Sequence, residues 1–175
     1  MEDIRPEDLI FIDETGVNLA MIRLYARSLK GDRAIGERPY PGKNITLIGA
    51  MSLTGITTAW TFEGGMNGTT FKAFVEEGLV PHLWQGACVV MDNLSAHCVE
   101  GIRELIERVG ARLVYLSPYS PDFNPIENCW SKVKTFLRSA AARTRDALDQ
   151  AITDALNAVT LADIQNWFTY RCYCT

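Results

Sequence analysis

The chain has no run of apolar residues near the roughly 20 that a membrane span requires. Its start, Met1-Glu2-Asp3-Ile4-Arg5-Pro6-Glu7-Asp8, lacks the basic residues and apolar stretch of a secretory signal. A soluble, cytoplasmic protein with no membrane association is expected. Histidine is scarce, with only His82 and His97, and the five cysteines (Cys88, Cys98, Cys129, Cys172 and Cys174) form no Cys-x-x-Cys pair. An odd, scattered set of this kind argues against a disulfide framework or a zinc site and reads as reduced thiols, mostly core filler. No internal repeat or low-complexity tract interrupts the sequence. What is abundant is apolar material: 47% hydrophobic residues in 175 supply one domain with a sizeable core.

An excess of positive charge is also missing, since the net charge is −4 and the pI about 5.2. The distribution is uneven, however. Residues 21–44 carry Arg23, Arg27, Lys30, Arg33, Arg38 and Lys43 against Asp32 and Glu37, a net of +4. Residues 128–145 carry Lys132, Lys134, Arg138, Arg143 and Arg145 with no acid, a net of +5, which leaves −13 for everything else. Two concentrated basic segments on an acidic body can follow a phosphate backbone whatever the total charge. The alternative for each is an ordinary solvated face.

Apolar runs alternate with helical patterns. Leu9-Ile10-Phe11-Ile12 reads as a buried strand that stops at Asp13 and the turn Glu14-Thr15-Gly16. Residues 18–44 form a long connection, and connections of that length are functional or mobile. Residues 45–53 and 56–62 are strands joined in a tight hairpin at Thr54-Gly55. A helix follows with Phe71, Phe74, Val75 and Leu79 inward, ended by Pro81. The strand 87–91 runs directly into Asp92 and Asn93. Ser95 is expected to cap a helix with Val99, Ile102, Leu105, Ile106 and Val109 inward, Gly110 stops it, and residues 112–116 make the last strand. Three antiparallel strands, then helix, strand, helix, strand, helix predict a mixed α/β fold whose parallel part is fed by crossover helices. Beyond Arg143, Thr144 opens a helix with Leu148, Ile152, Leu156 and Val159 inward. Thr160 and Asp163 then form a capping box before Ile164, Trp167 and Phe168. Trp130 and Trp167 both read as core.

The stretch Ser117-Pro118-Tyr119-Ser120-Pro121-Asp122-Phe123-Asn124-Pro125-Ile126-Glu127 forces a turn, because each proline excludes helical angles from the residue before it. Asn124 has the type of an N-cap and Pro125 suits the first helical position. The helix they start has Ile126, Trp130, Val133 and Leu137 on one face and Glu127 in its first turn. A glutamate there can simply close a capping box.

Strand ends on one edge of an α/β sheet are where sites collect, so Asp13, Asp92 and Glu127 are expected to converge. Three carboxylates repel one another unless a cation neutralises them, and oxygen-only ligands suit Mg²⁺ or Mn²⁺ better than zinc. Two such ions support in-line attack on a phosphodiester. Glu14, one residue on from Asp13, should point to the opposite face of its strand. Asp122 reads as a turn or cap residue.

These motifs resemble the catalytic domain of the mariner-like insertion-sequence transposases of the DDE superfamily. The residues that carry the likeness are Phe11-Ile12-Asp13-Glu14-Thr15-Gly16, Met91-Asp92-Asn93-Leu94-Ser95-Ala96-His97 and the proline-rich stretch ending in Glu127. Between Asp92 and Glu127 lie 34 residues, the spacing of that branch. The resemblance implies a ribonuclease-H-like mixed sheet of five strands flanked by helices. It covers a core of about residues 8–138, with a helical extension at about 144–170 in the same single domain. It further implies that Asp13, Asp92 and Glu127 are catalytic and bind two Mg²⁺ or Mn²⁺ ions. Asn93, His97 and Asn124 become candidates for substrate positioning, with a purely structural histidine as the alternative for His97 and orientation of Asp92 or its turn as the alternative for Asn93.

The partner implied is double-stranded DNA, both transposon ends and a TA target, bound by a homodimer and gripped by the two basic segments. The helix-turn-helix region that relatives place ahead of the catalytic strands is expected to be absent, either because a separately encoded DNA-binding part supplies it or because this is a truncated copy. Ser117 stands where relatives usually have another proline. Other readings are a different ribonuclease-H-like nuclease, disfavoured by the proline-rich elbow and basic loop, and an inactive remnant that binds only DNA or a partner. A haloacid-dehalogenase-like phosphatase would need an aspartate where Thr15 stands.

Overall fold

A computed structural model describes residues 4–117 and 121–173. Five strands form one sheet: β1 (Leu9–Val17), β2 (Ile45–Ser52), β3 (Gly55–Glu63), β4 (Cys88–Met91) and β5 (Arg112–Tyr115), in the order β3-β2-β1-β4-β5. β1 to β3 pair antiparallel, whereas β4 pairs parallel to both β1 and β5. The hairpin expected at Thr54-Gly55 joins β2 to β3, with Gly55 at φ +144°.

The central strand is buried on both faces, so its period-two alternation feeds two cores. Leu9, Phe11 and Val17 pack with Leu47, Met51 and Val90 under three helices: α3 (Ile126–Ala140), α4 (Arg145–Asn157) and α5 (Leu161–Tyr170). Ile10 and Ile12 pack with Ile48, Val89 and Met91 on the other face. There they meet α1 (Gly68–Ala73), its continuation Phe74–Leu79, and α2 (Ile102–Glu107). That continuation is wound as a π-helix, which ordinary helical spacing did not predict. Gly78 lies in it, under Trp60, where a Cβ would come within 2.9 Å of the indole.

Several expectations need correction. β1 does not stop at Asp13. Its parallel pairing with β4 ends at Phe11↔Val90, but its antiparallel pairing with β2 continues through Asp13↔Gly49 to Val17↔Ile45. Ser95 caps no helix, because residues 94–98 are folded into turns by bonds from the His97 and Cys98 N–H groups to the Leu94 carbonyl. The helix starts later, at Ile102, after Gly101 at φ +91°.

In α4 the buried residues are Leu148, Ala151, Ile152 and Ala155, with Leu156 only half-buried, and Val159, also half-buried, lies beyond the end of the helix. Thr144 caps α4, and the Thr160–Asp163 capping box of α5 is present as expected. Trp130 is core, but Trp167 is half-buried beside a groove. Cys88 and Cys129 are buried thiols, whereas Cys98 and Cys172 are exposed, which limits the core-filler reading to two of them; Cys174 lies outside the described residues. No helix among the described residues is long and apolar enough to cross a membrane.

Candidate active site

Asp13 sits where the sheet splits: β1 has left β4 but still runs with β2. Its side chain shares a face with Phe11 and is 9% exposed. Asp92 follows β4 immediately and is partly exposed. Glu127 is in the first turn of α3, the helix whose Ile126, Cys129, Trp130, Val133 and Leu137 pack on the Phe11 face. Gly49, opposite Asp13 in the register, lets that helix sit close. A Cβ there would approach Trp130 Cη2 to 2.8 Å, so the indole rests on bare backbone.

Asn124 is 3% exposed, and its Oδ1 accepts the Ile126 N–H at 3.3 Å while its carbonyl accepts the Glu127 N–H at 3.3 Å. It thus holds the start of α3, one residue later than the sequence suggested. Among the described residues, no hydrogen bond closes a capping box through the Glu127 carboxylate. Pro118, Tyr119 and Ser120 of the proline-rich elbow lie outside the described residues. Asp122 is exposed, and its carbonyl accepts a 2.7 Å bond from Arg171.

The acids are electrostatically coupled. Burial, then the charge of Glu127, then those of Glu14 and Asp92, raise the Asp13 pKa from 3.8 to about 8. A buried carboxyl with no cation near it is cheapest when protonated. The convergence expected from the sequence is nonetheless incomplete. Among the described residues, no three acidic, imidazole or thiol side chains stand close enough together to enclose an ion. The donor chemistry, carboxylate oxygens alone, is of the kind that suits a hard divalent cation.

Asp92 is held differently. Its Oδ1 accepts the Leu94 N–H at 3.2 Å and His97 Nδ1 at 2.5 Å. His97 is fully buried, tilted over the Phe71 ring at 4.2 Å between centroids, and its Nε2 bonds Glu14 Oε2 at 3.0 Å. Burial opposes the charged imidazole, but the bonds to Asp92 and Glu14 outweigh it and lift the pKa to about 10. Glu14 points to the face opposite Asp13, as alternation required. From that face it is nonetheless tied to Asp92 through His97. The clue was available: Glu14 follows Ile10 and Ile12 on one face of β1, and the turn after β4 carries a histidine. Asn93 accepts a 2.9 Å bond from Cys98 Sγ and so pins the turn after Asp92.

The two basic segments diverge in structure. Residues 21–44 are exposed apart from Met21, Ile22, Pro39 and Gly42 and contain no regular element. The base of the segment is closed by a 3.0 Å bond from the Leu19 N–H to the Pro41 carbonyl. No ion pair among the described residues involves Arg23, Arg27, Lys30 or Arg33. In contrast, Lys43 bonds Glu63 at 2.7 Å, Lys132 bonds Asp163 at 2.5 Å and Arg145 bonds Asp149 at 2.7 Å. Arg143 donates to the carbonyls of Leu19 and Met21 at 3.1 and 3.3 Å. Arg38, Lys134 and Arg138 instead line a cleft of about 400 Å³ beside Gly16 and Val17, at the far end of the strand that carries Asp13.

A family model described as DDE superfamily endonuclease matches residues 8–149. Among solved structures, the fold is similar to the Mos1 transposase paired-end complex with the left transposon end, with a TM-score of 0.79 and 15% identity over 94% of this chain and 52% of that one. It is also similar to the Mos1 mariner paired-end complex with Mn, at 0.66 and 14% over 94% and 53%. The catalytic domain of Mos1 mariner transposase gives 0.66 and 10% over 95% and 78%. Identities this low speak for the fold, which is the expected ribonuclease-H-like one. The chain spans about half the length of the Mos1 chains in the two complexes. No curated protein matches the sequence.

Proposed function

The chain belongs to the DDE superfamily of endonucleases, and on that footing we propose that it is the catalytic domain of a mariner-like DNA transposase. It hydrolyses phosphodiester bonds at the ends of a mobile element and joins the freed 3′-hydroxyls to target DNA. The observation that carries this reading is the buried Asp13 carboxyl, driven up to about 8 by burial and then by the charges of Glu127, Glu14 and Asp92, a site that a cation would relieve.

Asp13, Asp92 and Glu127 are the residues that would hold two Mg²⁺ or Mn²⁺ ions. When bound, such a pair supplies an activated water or 3′-hydroxyl and charge neutralisation on the departing oxygen. The chain's own residues do the rest. Asp92 is tethered through one oxygen. Asn124 and the Trp130–Gly49 contact seat α3 and with it Glu127. Arg23, Arg27, Lys30 and Arg33 offer free charge to a duplex, and Arg38, Lys134 and Arg138 offer a cleft for its backbone.

A TA target, a homodimer on DNA and recognition of element ends by a part outside this span complete the proposal. The half-length match to the Mos1 chains supports the last of these. The whole span acts as one catalytic domain, with α4 and α5 bracing α3.

The test is strand transfer. The chain is incubated with Mg²⁺ or Mn²⁺, pre-cleaved ends bearing 3′-hydroxyls and a target duplex, beside Asp92→Asn. Joined products that depend on metal and on Asp92 are expected. Products formed equally by the variant would remove Asp92 from the mechanism and with it this assignment of the site.

A further inference from the structure

On the face of the sheet away from Asp13, three side chains form a line: Glu14 Oε2 to His97 Nε2 at 3.0 Å, and His97 Nδ1 to Asp92 Oδ1 at 2.5 Å. Serving two carboxylates at once takes both ring N–H groups. The line is anchored at every point. Glu14 lies within β1 and pairs with Ile48. His97 is closed in by Phe71, its own N–H bonds the Leu94 carbonyl at 2.9 Å, and its carbonyl accepts the Tyr115 hydroxyl at 3.1 Å. Asp92 is the only member on a loop and the only one that is substantially exposed. Among the described residues, every hydrogen bond to Asp92 falls on Oδ1.

We infer that Glu14 and His97 are positioning residues that reach the site from behind the sheet, fixing Asp92 by Oδ1 and leaving Oδ2 as the single oxygen presented to a divalent cation. This rests on the reading of Asp92 as a metal ligand. His97 therefore does not meet substrate. It acts through Asp92, as the outer partner of a ligand sets that ligand's orientation. Glu14 in turn keeps the imidazole oriented, because an unpaired Nε2 would leave the ring free to tilt away from Asp92.

The discriminating pair of substitutions is His97→Phe and His97→Asn. Phenylalanine keeps a ring against Phe71 but loses both hydrogen bonds, whereas asparagine loses the ring and places an amide N–H where Nδ1 was. Binding of Mn²⁺ to the chain, followed by electron paramagnetic resonance, is measured for these variants, Glu14→Gln and Asp92→Asn, with thermal unfolding recorded alongside. Affinity about 10-fold weaker in His97→Phe is expected, with partial recovery in His97→Asn and an intermediate loss in Glu14→Gln. A histidine that only fills space predicts the reverse order, and that order would overturn the inference. Wild-type affinity in both His97→Phe and Glu14→Gln, alongside loss in Asp92→Asn, would also overturn it while leaving Asp92 as a ligand. Absence of Mn²⁺ binding by the wild-type chain would sink the metal-site reading and this inference together.

Discussion

Asp13 and Asp92 lie just past the point where the neighbouring parallel strands β1 and β4 part, yet the protein treats them in opposite ways. Asp92 is partly in water, bonded to a buried imidazole and a backbone N–H. Asp13 is buried, faces other acids, and is pushed to about 8. One is held in place in advance and the other is left costly to ionise. The difference teaches that positioning and affinity have been divided between two faces of one sheet. Behind it, Glu14 and His97 fix Asp92; in front, Asp13 is an uncompensated carboxyl that a cation would relieve.

The largest way to break this comparison is to remove either acid's charge. Asp13→Asn and Asp92→Asn should each cut metal-dependent DNA cleavage below about one hundredth of the wild-type rate, a loss of roughly 3 kcal/mol or more in transition-state stabilisation. Circular dichroism should show an intact fold in both.

A second test separates them without metal. The folded Asp13 binds a proton that the unfolded chain releases above its ordinary value of 3.8. Stability from this group is therefore fully present below that value and is lost as pH rises through about 8. Asp13→Asn should consequently stabilise the metal-free protein at pH 9, on the order of 3 kcal/mol, and flatten the pH dependence between pH 4 and 8. Denaturant unfolding in chelator at several pH values measures it. A variant no more stable than wild type at pH 9 would mean that Asp13 is not held at such cost.

Gly49→Ala sharpens the comparison from the other side. The new methyl group would meet Trp130 at 2.8 Å and push α3, and with it Glu127, away from Asp13. Destabilisation of about 1–3 kcal/mol is expected, with weaker Mn²⁺ binding measured by titration. An effect on stability with wild-type metal affinity would uncouple the seat of α3 from the site.

The smallest expected effects concern the basic segments. Neutralising Arg23, Arg27, Lys30 and Arg33 should weaken DNA binding and reduce the slope of log affinity against log salt by up to about 4 × 0.9. Changing Lys132, Arg143 and Arg145 to alanine should leave that slope nearly unchanged, because those cations are engaged within the protein. Each exposed pair lost costs no more than about 1 kcal/mol of stability. Fluorescence anisotropy across a salt series distinguishes the two sets.

That last contrast marks one limit of the sequence. Counting charge found both segments but could not see that Glu63 on β3 and Asp163 on α5, remote in sequence, would occupy Lys43 and Lys132, whereas the Arg145–Asp149 pair, four residues apart on α4, was open to a reading of helical spacing. Much of the fold was legible because it rests on local periodicity. Examples are the doubly buried β1, the hairpin at Thr54-Gly55, the apolar face of α3 and the capping box of α5. The order of antiparallel and parallel strands followed from the alternation of elements.

The end of β1 was not legible. Asp13-Glu14-Thr15-Gly16 reads as a turn, but pairing with β2 outweighs that local preference. Nor was the start of α2, since the side chain of Asp92 and the Leu94 carbonyl organise the turn that Ser95 was expected to cap. Within the site, residue types pointed to the three acids, while the Glu14–His97 bond spans 83 positions and exists only in the folded chain.

The central claim is that Asp13, Asp92 and Glu127 together make a divalent-metal site for phosphodiester chemistry. The most direct test is Mn²⁺-dependent nicking of plain duplex DNA by the purified chain beside Glu127→Gln, followed over time on denaturing gels. The account predicts nicking by the wild-type protein that vanishes in chelator and in the variant. Nicking by Glu127→Gln at the wild-type rate would contradict it.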